Sequence, residues 1–147
     1  MICISLMFSV FLTNAAATDT YKTVAIEKNL LEDGSYYITV IQVQENSVTC
    51  RGTSTKNGTK SRSYYSATDE LQFTVSVWGS FTYNGTTATA TDSSSSYSIT
   101  NSSWSFVSGR SFAADNRAVA TCTFHLSNVG NKTYTVTLSC SPTGVLS

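Results

Sequence analysis

The middle of the chain alternates between two kinds of side chain over an unusually long stretch. From Leu71 to Tyr83 the odd positions are apolar or aromatic, except for Gly79, and the even positions are polar, except for Trp78. Successive side chains of a β-strand point to opposite faces of the sheet, so this stretch predicts one long strand with one buried face. No later segment has a sustained 3.6-residue period, and we therefore expect essentially no helix after the N-terminal segment.

Three Asx-Gly pairs predict tight turns between strands. They are Asp33-Gly34, Asn57-Gly58 and Asn84-Gly85. The strand pairs predicted around these turns are 23–32 with 35–44, 47–56 with 59–66, and 71–83 with the segment after Asn84-Gly85.

Simple registers follow from these turns. In the first hairpin, Ile26 falls opposite Ile41 and Val24 opposite Val43, so that both strands bury one apolar face. In the third hairpin, Phe81 falls opposite Ala88 and Gly79 opposite Ala90. A glycine at this point predicts a bend or close packing between sheets.

The number and spacing of the predicted strands indicate the fold class. Further strands are predicted at 96–100, 103–108, 118–126 and 132–140. Eight or nine antiparallel strands with frequent turns predict an antiparallel β-sandwich, immunoglobulin-like in the loose sense. A small closed β-barrel is the alternative.

The first residues have the features of a secretory signal. An apolar run from Ile2 to Leu12 precedes Asn14-Ala15-Ala16-Ala17, and small residues in an A-x-A arrangement are typical of a cleavage site. No Lys or Arg lies between Met1 and Leu12, which is atypical because such signals usually begin with positive charge. We expect residues 1–17 to be removed and residues 18–147 to form one secreted domain.

The charge balance excludes some partners. Charged residues make up 12% of the chain and the formal net charge is +0. The sequence has no basic stripe to attract nucleic acid or anionic lipid, so we expect neither nucleic-acid binding nor stable membrane insertion.

Several segments together resemble a known group of proteins. They are Tyr64-Tyr65, Leu71, the run from Thr74 to Gly85, Trp104, the stretch Val136 to Cys140, and Gly144 to Ser147. In order and spacing they resemble small exported proteins of clostridial-type Gram-positive bacteria, a domain family of unknown function. The resemblance covers about the last 85 residues and implies export and a β fold without implying an activity.

The cysteines permit at most one disulfide within the exported domain. Cys50, Cys122 and Cys140 remain after loss of the signal. Members of the resembled family often carry a cysteine where this chain has Ala90, so their bridge to the last strand cannot form here. If the last hairpin turns through residues 130–132, Cys122 faces Cys140 and can replace it. Two buried free thiols are the alternative.

Catalytic and metal-binding groups are sparse in this sequence. His125 is the single histidine, and the alternation around it places it on an exposed strand face. The sequence contains no nucleophile-elbow motif and no clustered metal ligands, so we predict no catalytic residue, no metal site and no cofactor.

Aromatic side chains are the better candidates for a site. Trp78 lies on the polar side of its strand, and one of the consecutive Tyr64 and Tyr65 must face outward. Such rings can stack on sugars, although Trp78 can equally be covered by a loop or a second sheet. The sequence favours an exported, non-enzymatic binding module for an extracellular glycan or cell-surface component. A secreted toxin or bacteriocin-like membrane-active effector is the alternative, and an enzyme is the least favoured.

Overall fold

The computed structural model describes residues 20–45, 48–50 and 52–147, and across these residues the protein is all-β with no helix. The predicted signal peptide lies outside the described residues. The strands described are β1 Tyr21–Leu30, β2 Tyr36–Gln44, β3 Val48–Cys50, β4 Thr53–Tyr65, β5 Leu71–Tyr83, β6 Ala88–Ile99, β7 Trp104–Ala114, β8 Arg117–Leu126 and β9 Gly130–Ser139.

The strands form two antiparallel sheets. One is six-stranded, with the order β1-β2-β4-β5-β6 and with β3 also paired to β4, and the other is three-stranded, with the order β7-β8-β9. The sheets bury a shared core between them, which confirms the predicted β-sandwich. Within the described part of the chain, the two sheets do not join into the alternative closed barrel.

The long central strand has the bounds that its alternation predicts. On its inner face Phe73, Val75, Val77 and Phe81 are at most 1% exposed. Burying an apolar side chain of this size contributes about 1.5–3 kcal/mol to stability. The smaller sheet covers this row with Ala118, Ala120, Cys122, Phe124, Val136 and Leu138.

The two sheets approach closely at Gly79, as predicted. A Cβ atom at this position would lie only 2.6 Å from the Cβ of Ala118 on β8. The predicted register with β6 is wrong, because the loop contains residues 84–87 and pairs Tyr83 with Ala88, which places Phe81 opposite Ala90. A bulge between Ser80 and Phe81 then places Gly79 opposite Ser93. The predicted turn at Asn84 is present, and its side chain accepts backbone N–H groups from the two residues after Gly85.

The predicted turn at Asn57-Gly58 is wrong, because both residues lie inside β4. Gly58 serves packing instead: an added Cβ would clash with the side chain of Leu146 and lie 2.9 Å from the carbonyl oxygen of Gln42. The chain turns earlier, next to Gly52, whose φ of +80° suits a glycine.

The first hairpin turns near Asp33-Gly34, but the predicted register is wrong by one residue. The loop contains residues 31–35, closed by the N–H of Leu31 donating to the carbonyl of Ser35 at 2.8 Å. Ile26 therefore lies opposite Val40 instead of Ile41. A one-residue shift turns every side chain to the other face, and Ile26 is 68% exposed.

The predicted disulfide between Cys122 and Cys140 is wrong, and both residues are buried free thiols. The last hairpin turns before Gly130, through Asn128 with a φ of +66°, so Cys122 lies opposite Tyr134. The N–H of Cys140 donates instead to the carbonyl of Asn116 at 2.9 Å. Six residues along β8 separate Asn116 from Cys122, a span of about 20 Å that no disulfide can bridge.

The sandwich is closed on one side and open on the other. On the closed side, β6 and β7 meet through the stacked rings of Tyr97 and Phe106, whose centroids are 4.1 Å apart. On the other side, β9 packs over β4 and β5, and the six-stranded sheet continues past it with β2 and β1.

Candidate functional site

Two of the three predicted binding residues lie together at one end of the sandwich. Tyr64 and Tyr65 end β4, where the register with β5 shifts between them. Both line a cavity of about 340 Å³ between the ends of the two sheets. Loops 31–35 and 66–70 reach this end from the larger sheet, and Trp104 and Tyr134 reach it from the smaller one.

The walls of this end cavity are aromatic. The ring of Phe73 forms its floor, with centroids 4.8 Å from Trp104, 4.7 Å from Tyr134 and 4.8 Å from Tyr64. Tyr64 and Tyr134 also contact each other at 4.7 Å. Aromatic pairs at such distances stabilise one another by about 0.5–1.5 kcal/mol beyond their burial. The rings are therefore held rigidly before any ligand arrives.

The half-buried side-chain amide of Gln72 fixes the indole of Trp104. The Nε1–H of Trp104 donates to Oε1 of Gln72 at 3.2 Å, and Asn101 donates to the same oxygen at 3.0 Å. Because both hydrogen bonds come from the loop and strand that follow β6, they attach the start of β7 to the start of β5. The orientation of the Trp104 ring is consequently set by the fold.

Opposite charges stand on the two sheets at this cavity. Asp33 comes from the β1–β2 loop and Lys132 from β9. Hydrogen bonds from the hydroxyl and N–H of Ser35 lower the pKa of Asp33, and the charge of Lys132 lowers it slightly further. Asp33 is thus a carboxylate at neutral pH. Among the lining residues that the structure describes, these are the only acidic and basic side chains.

The two tyrosines of the wall stay protonated. Burial, together with the nearby phenol of Tyr64 and the charge of Asp33, raises the pKa of Tyr134 to about 12. Burial likewise raises the pKa of Tyr64. At neutral pH both rings carry neutral O–H groups, which can donate to or accept from a ligand.

Tyr65 forms part of the rim with Tyr36. Their rings stack with centroids 4.9 Å apart and planes 8° from parallel. The hydroxyl of Tyr36 donates to Asp69 at 2.8 Å, and the ammonium group of Lys28 lies 3.7 Å from the centre of the Tyr36 ring. The rim therefore consists of two stacked tyrosine rings and the turn that joins β4 to β5.

Trp78, the third predicted residue, lies elsewhere. It is half-buried on the outer face of β5, opposite Thr59 on β4 and Ser94 on β6. This face is rich in hydroxyl groups that bond across strands, as in the pair Ser61 and Ser76 at 2.8 Å. The structure thus separates Trp78 from Tyr64 by the thickness of the sheet.

His125 is exposed, as the alternation predicts, and its Nδ1 lies 2.9 Å from Oδ1 of Asn131. Over the described residues, no three His, Cys, Asp or Glu side chains are placed to hold a metal ion. The same part of the chain has no helix with the length and apolar character needed to cross a membrane.

Four residues of the cavity are not among the predicted binding residues. Trp104 packs against the core and also forms a wall of the cavity, while Asp33 is predicted only as a turn residue. Tyr134 and Lys132 belong to a strand whose predicted register is wrong. The usable signal is positional: Tyr64-Tyr65 ends β4 and Trp104 begins β7, and a sandwich brings such strand ends to the same edge, whereas Tyr134 lies in the middle of β9.

Comparisons with models of protein families, with curated proteins and with solved structures found no match. The resemblance to exported clostridial proteins therefore stays a prediction, and the residues of the cavity are the basis for an inference about function.

Proposed function

We propose that the protein is an exported, non-enzymatic binding module whose end cavity holds a sugar unit of an extracellular or cell-surface glycan. One observation carries the proposal: rigid aromatic rings line a cavity that also presents one carboxylate, one ammonium group and neutral phenols. Sugars have apolar C–H faces, which suit aromatic rings, and hydroxyl groups, which need hydrogen-bond partners. The cavity offers both kinds of partner within a single space.

The size of the cavity fits this role. Ligand pockets typically enclose about 300–1,000 Å³, and a cavity of about 340 Å³ is at the lower end of that range. It suits one ring of a longer chain, with the neighbouring sugar next to the partly exposed ring of Tyr65 at the rim.

The chemistry of the lining favours binding over hydrolysis. Most glycosidases use two carboxyl groups that face each other across the scissile bond, and Asp33 is the single carboxylate among the described lining residues. Hydrogen bonds from Ser35 lower the pKa of Asp33, so it is not a proton donor at neutral pH. A fixed anion of this kind is suited to accepting hydrogen bonds from sugar hydroxyls.

Tryptophan fluorescence tests the proposal, because the chain has only two Trp residues. A glycan array first selects a sugar, which is then titrated into the Trp78→Phe variant, where Trp104 is the sole indole. We expect saturable quenching or a spectral shift in this variant. The same titration of Trp104→Phe, which retains Trp78, should give neither.

A charge variant tests whether Asp33 hydrogen-bonds the sugar. A hydrogen bond to a charged group contributes about 1.5–3 kcal/mol, so Asp33→Asn should raise the Kd for the selected sugar at least about tenfold. His125→Ala is the matched control and should leave the Kd unchanged. Absence of any glycan hit, or equal binding by Trp104→Ala and wild type, would refute the proposal. Cleavage of the bound sugar would refute its non-enzymatic part.

A further inference from the structure

The smaller sheet ends at β9, and the larger sheet continues past it. The inner side chains Thr39 and Ile41 of β2 are 4% and 6% exposed, so side chains such as Arg62 cover this face. β9 packs over β4 and β5, whereas β2 and β1 extend the larger sheet by two more strands, or about 10 Å. In the part of the chain that the structure describes, no strand of the smaller sheet lies over the inner face of β1 and β2. On this side the smaller sheet stops two strands short of the larger one, which forms a step with the edge of β9 as its wall.

The wall presents backbone groups ready for pairing. Ser139 both donates to and accepts from Ser147, at 3.0 and 2.9 Å, so its backbone groups point away from β8. Backbone direction alternates along a strand, so Thr137, Thr135 and Thr133 point the same way. The guanidinium group of Arg62 confirms this direction, because it donates to the carbonyl oxygen of Thr135 at 3.2 Å.

The last residues of the chain show that this edge accepts a neighbouring segment. Leu146 forms an antiparallel bridge with Cys140, and Ser147 pairs with Ser139. This short pairing covers only the end of β9. The edge from Thr137 back to Thr133 has Arg62 as its described partner.

Cations outnumber carboxylates on the floor next to this edge, where Glu27 of β1 lies opposite Thr39 and its charge acts on Lys60. The inner face of β4 carries Lys60 and Arg62, which lie opposite Ile41 and Thr39 of β2. Over the described residues, the one ion pair within 4.0 Å joins Arg117 to Asp115, so neither floor cation has a carboxylate that close. The Nε atom of Arg62 is buried without a hydrogen-bond partner.

A second copy of the chain does not fit this step by edge pairing. Two β9 strands paired antiparallel across a two-fold axis would place both larger sheets on the same side of the joined smaller sheets. The partner's larger sheet would then occupy the space that β2 and β1 fill in this chain. A single strand has no such conflict.

We propose that the free edge of β9 and the inner face of β1 and β2 form a strand-addition groove for an extended, acidic segment of a partner protein. The segment pairs with the backbone of Thr133, Thr135 and Thr137, and displaces Arg62 from the carbonyl of Thr135. Arg62 and Lys60 then bind carboxylates of the segment. Main-chain pairing supplies affinity in such complexes, and the alternate side chains supply specificity.

The test uses the full chain and a labelled peptide of about nine residues, which spans about 30 Å as a strand. The peptide alternates Val with Glu, and a control peptide of the same length has Lys in place of every Glu. We expect the Glu peptide to bind and to slow hydrogen exchange of the amides of Thr133, Thr135 and Thr137. The Lys peptide should bind at least about tenfold more weakly.

Variants of Lys60 and Arg62 test whether these two cations bind the carboxylates of the peptide. Lys60→Glu and Arg62→Ala should each weaken binding of the Glu peptide, and Arg110→Ala, on β7 in the same sheet, is the matched control that should not. The two-peptide comparison on the wild-type chain remains decisive if a floor variant fails to fold. Equal binding of both peptides, no binding at about 1 mM, or protection on β1 or β7 instead of β9 would overturn the proposal. Self-association that protects β9 without peptide would also overturn it, in favour of a second copy.

Discussion

Gly79 provides a sharp test of how the two sheets pack. Adding a methyl group in Gly79→Ala would normally help a strand by about 0.5–1 kcal/mol, because glycine costs more backbone entropy. Here the new Cβ would lie 2.6 Å from the Cβ of Ala118 and 2.8 Å from two atoms of the Phe81 ring. Carbon atoms in good contact are about 3.5–4.0 Å apart, so an overlap of about 1 Å must be relieved.

The overlap can be relieved only if the two sheets move apart. The Phe81 ring can rotate, but the Cβ of Ala118 is fixed to the backbone of β8, the middle strand of its sheet. Overpacking of a core costs about 1–3 kcal/mol, and we expect Gly79→Ala to lower the free energy of unfolding by that amount. For a domain that is stable by about 5–15 kcal/mol, this loss is easily measured.

A reciprocal substitution isolates the cause. Ala118→Gly removes the opposing methyl and by itself costs about 1–2 kcal/mol through lost burial and added chain entropy. In the double variant the clash with Ala118 is absent and the Phe81 ring can rotate away, so its stability should equal or exceed that of Ala118→Gly. The coupling free energy between the two positions is then at least about 1 kcal/mol, within the range for residues in contact.

Urea unfolding measures all four proteins, with Ser80→Ala on the outer face of β5 as a control that should stay within about 0.5 kcal/mol of wild type. With a typical slope of about 1–3 kcal/mol per molar urea, the midpoint of Gly79→Ala should fall by about 1 M. A Gly79→Ala protein as stable as wild type, or additive losses in the double variant, would refute close packing at this point.

Two further predictions concern titrating groups. Burial raises the pKa of both Cys122 and Cys140, so neither thiol should react with iodoacetamide in the native protein. Both should react in urea without reductant. A reaction that requires reductant would show a disulfide instead. The pKa of Tyr134 rises to about 12 on folding, from an ordinary value near 10. This tyrosine therefore stabilises the protein fully below pH 10 and loses its contribution between pH 10 and 12, and Tyr134→Phe should show a smaller loss over that interval in thermal unfolding.

The sequence predicts the central strand well because strict alternation has one interpretation. From Leu71 to Tyr83 every second residue is apolar, apart from Gly79, so a strand over this stretch must bury one face. The bounds of the alternation are therefore the bounds of the strand. Asn57-Gly58 has two interpretations, since a glycine serves both a turn and a close approach of side chains. Only the position of Leu146, distant in sequence, decides between them.

Registers were less predictable for a related reason. Moving the turn of the last hairpin by a few residues leaves the same face buried when the shift in pairing is an even number of residues. Hydrophobic pattern alone therefore cannot distinguish Cys122 opposite Cys140 from Cys122 opposite Tyr134. In the first hairpin the shift is one residue, and the exposed side chain of Ile26 shows that an edge strand tolerates an apolar residue on its outer face.

The end cavity was only half predictable. Tyr64 and Tyr65 are visible as a pair that cannot both be buried in a regular strand. Trp104 packs against the core, and it also forms a wall of the cavity because the sandwich ends at the first residue of β7. Asp33 and Lys132 are distant in sequence and approach each other only through the stacking of the two sheets.

The cavity and the proposed groove share one strand. In β9, Tyr134 projects into the cavity, while the backbone groups of its neighbours Thr133 and Thr135 point to the free edge. On the opposite sheet, Tyr64 and Arg62 lie two residues apart on the inner face of β4, one at the cavity and the other bonded to the edge. A strand that pairs with β9 would displace Arg62 from Thr135, and the same side chain also acts on the phenol of Tyr64 in the cavity wall. Binding at the groove would therefore change the surroundings of a ring that is already rigid, and by linkage a ligand of the cavity would change the affinity of the groove by the same factor.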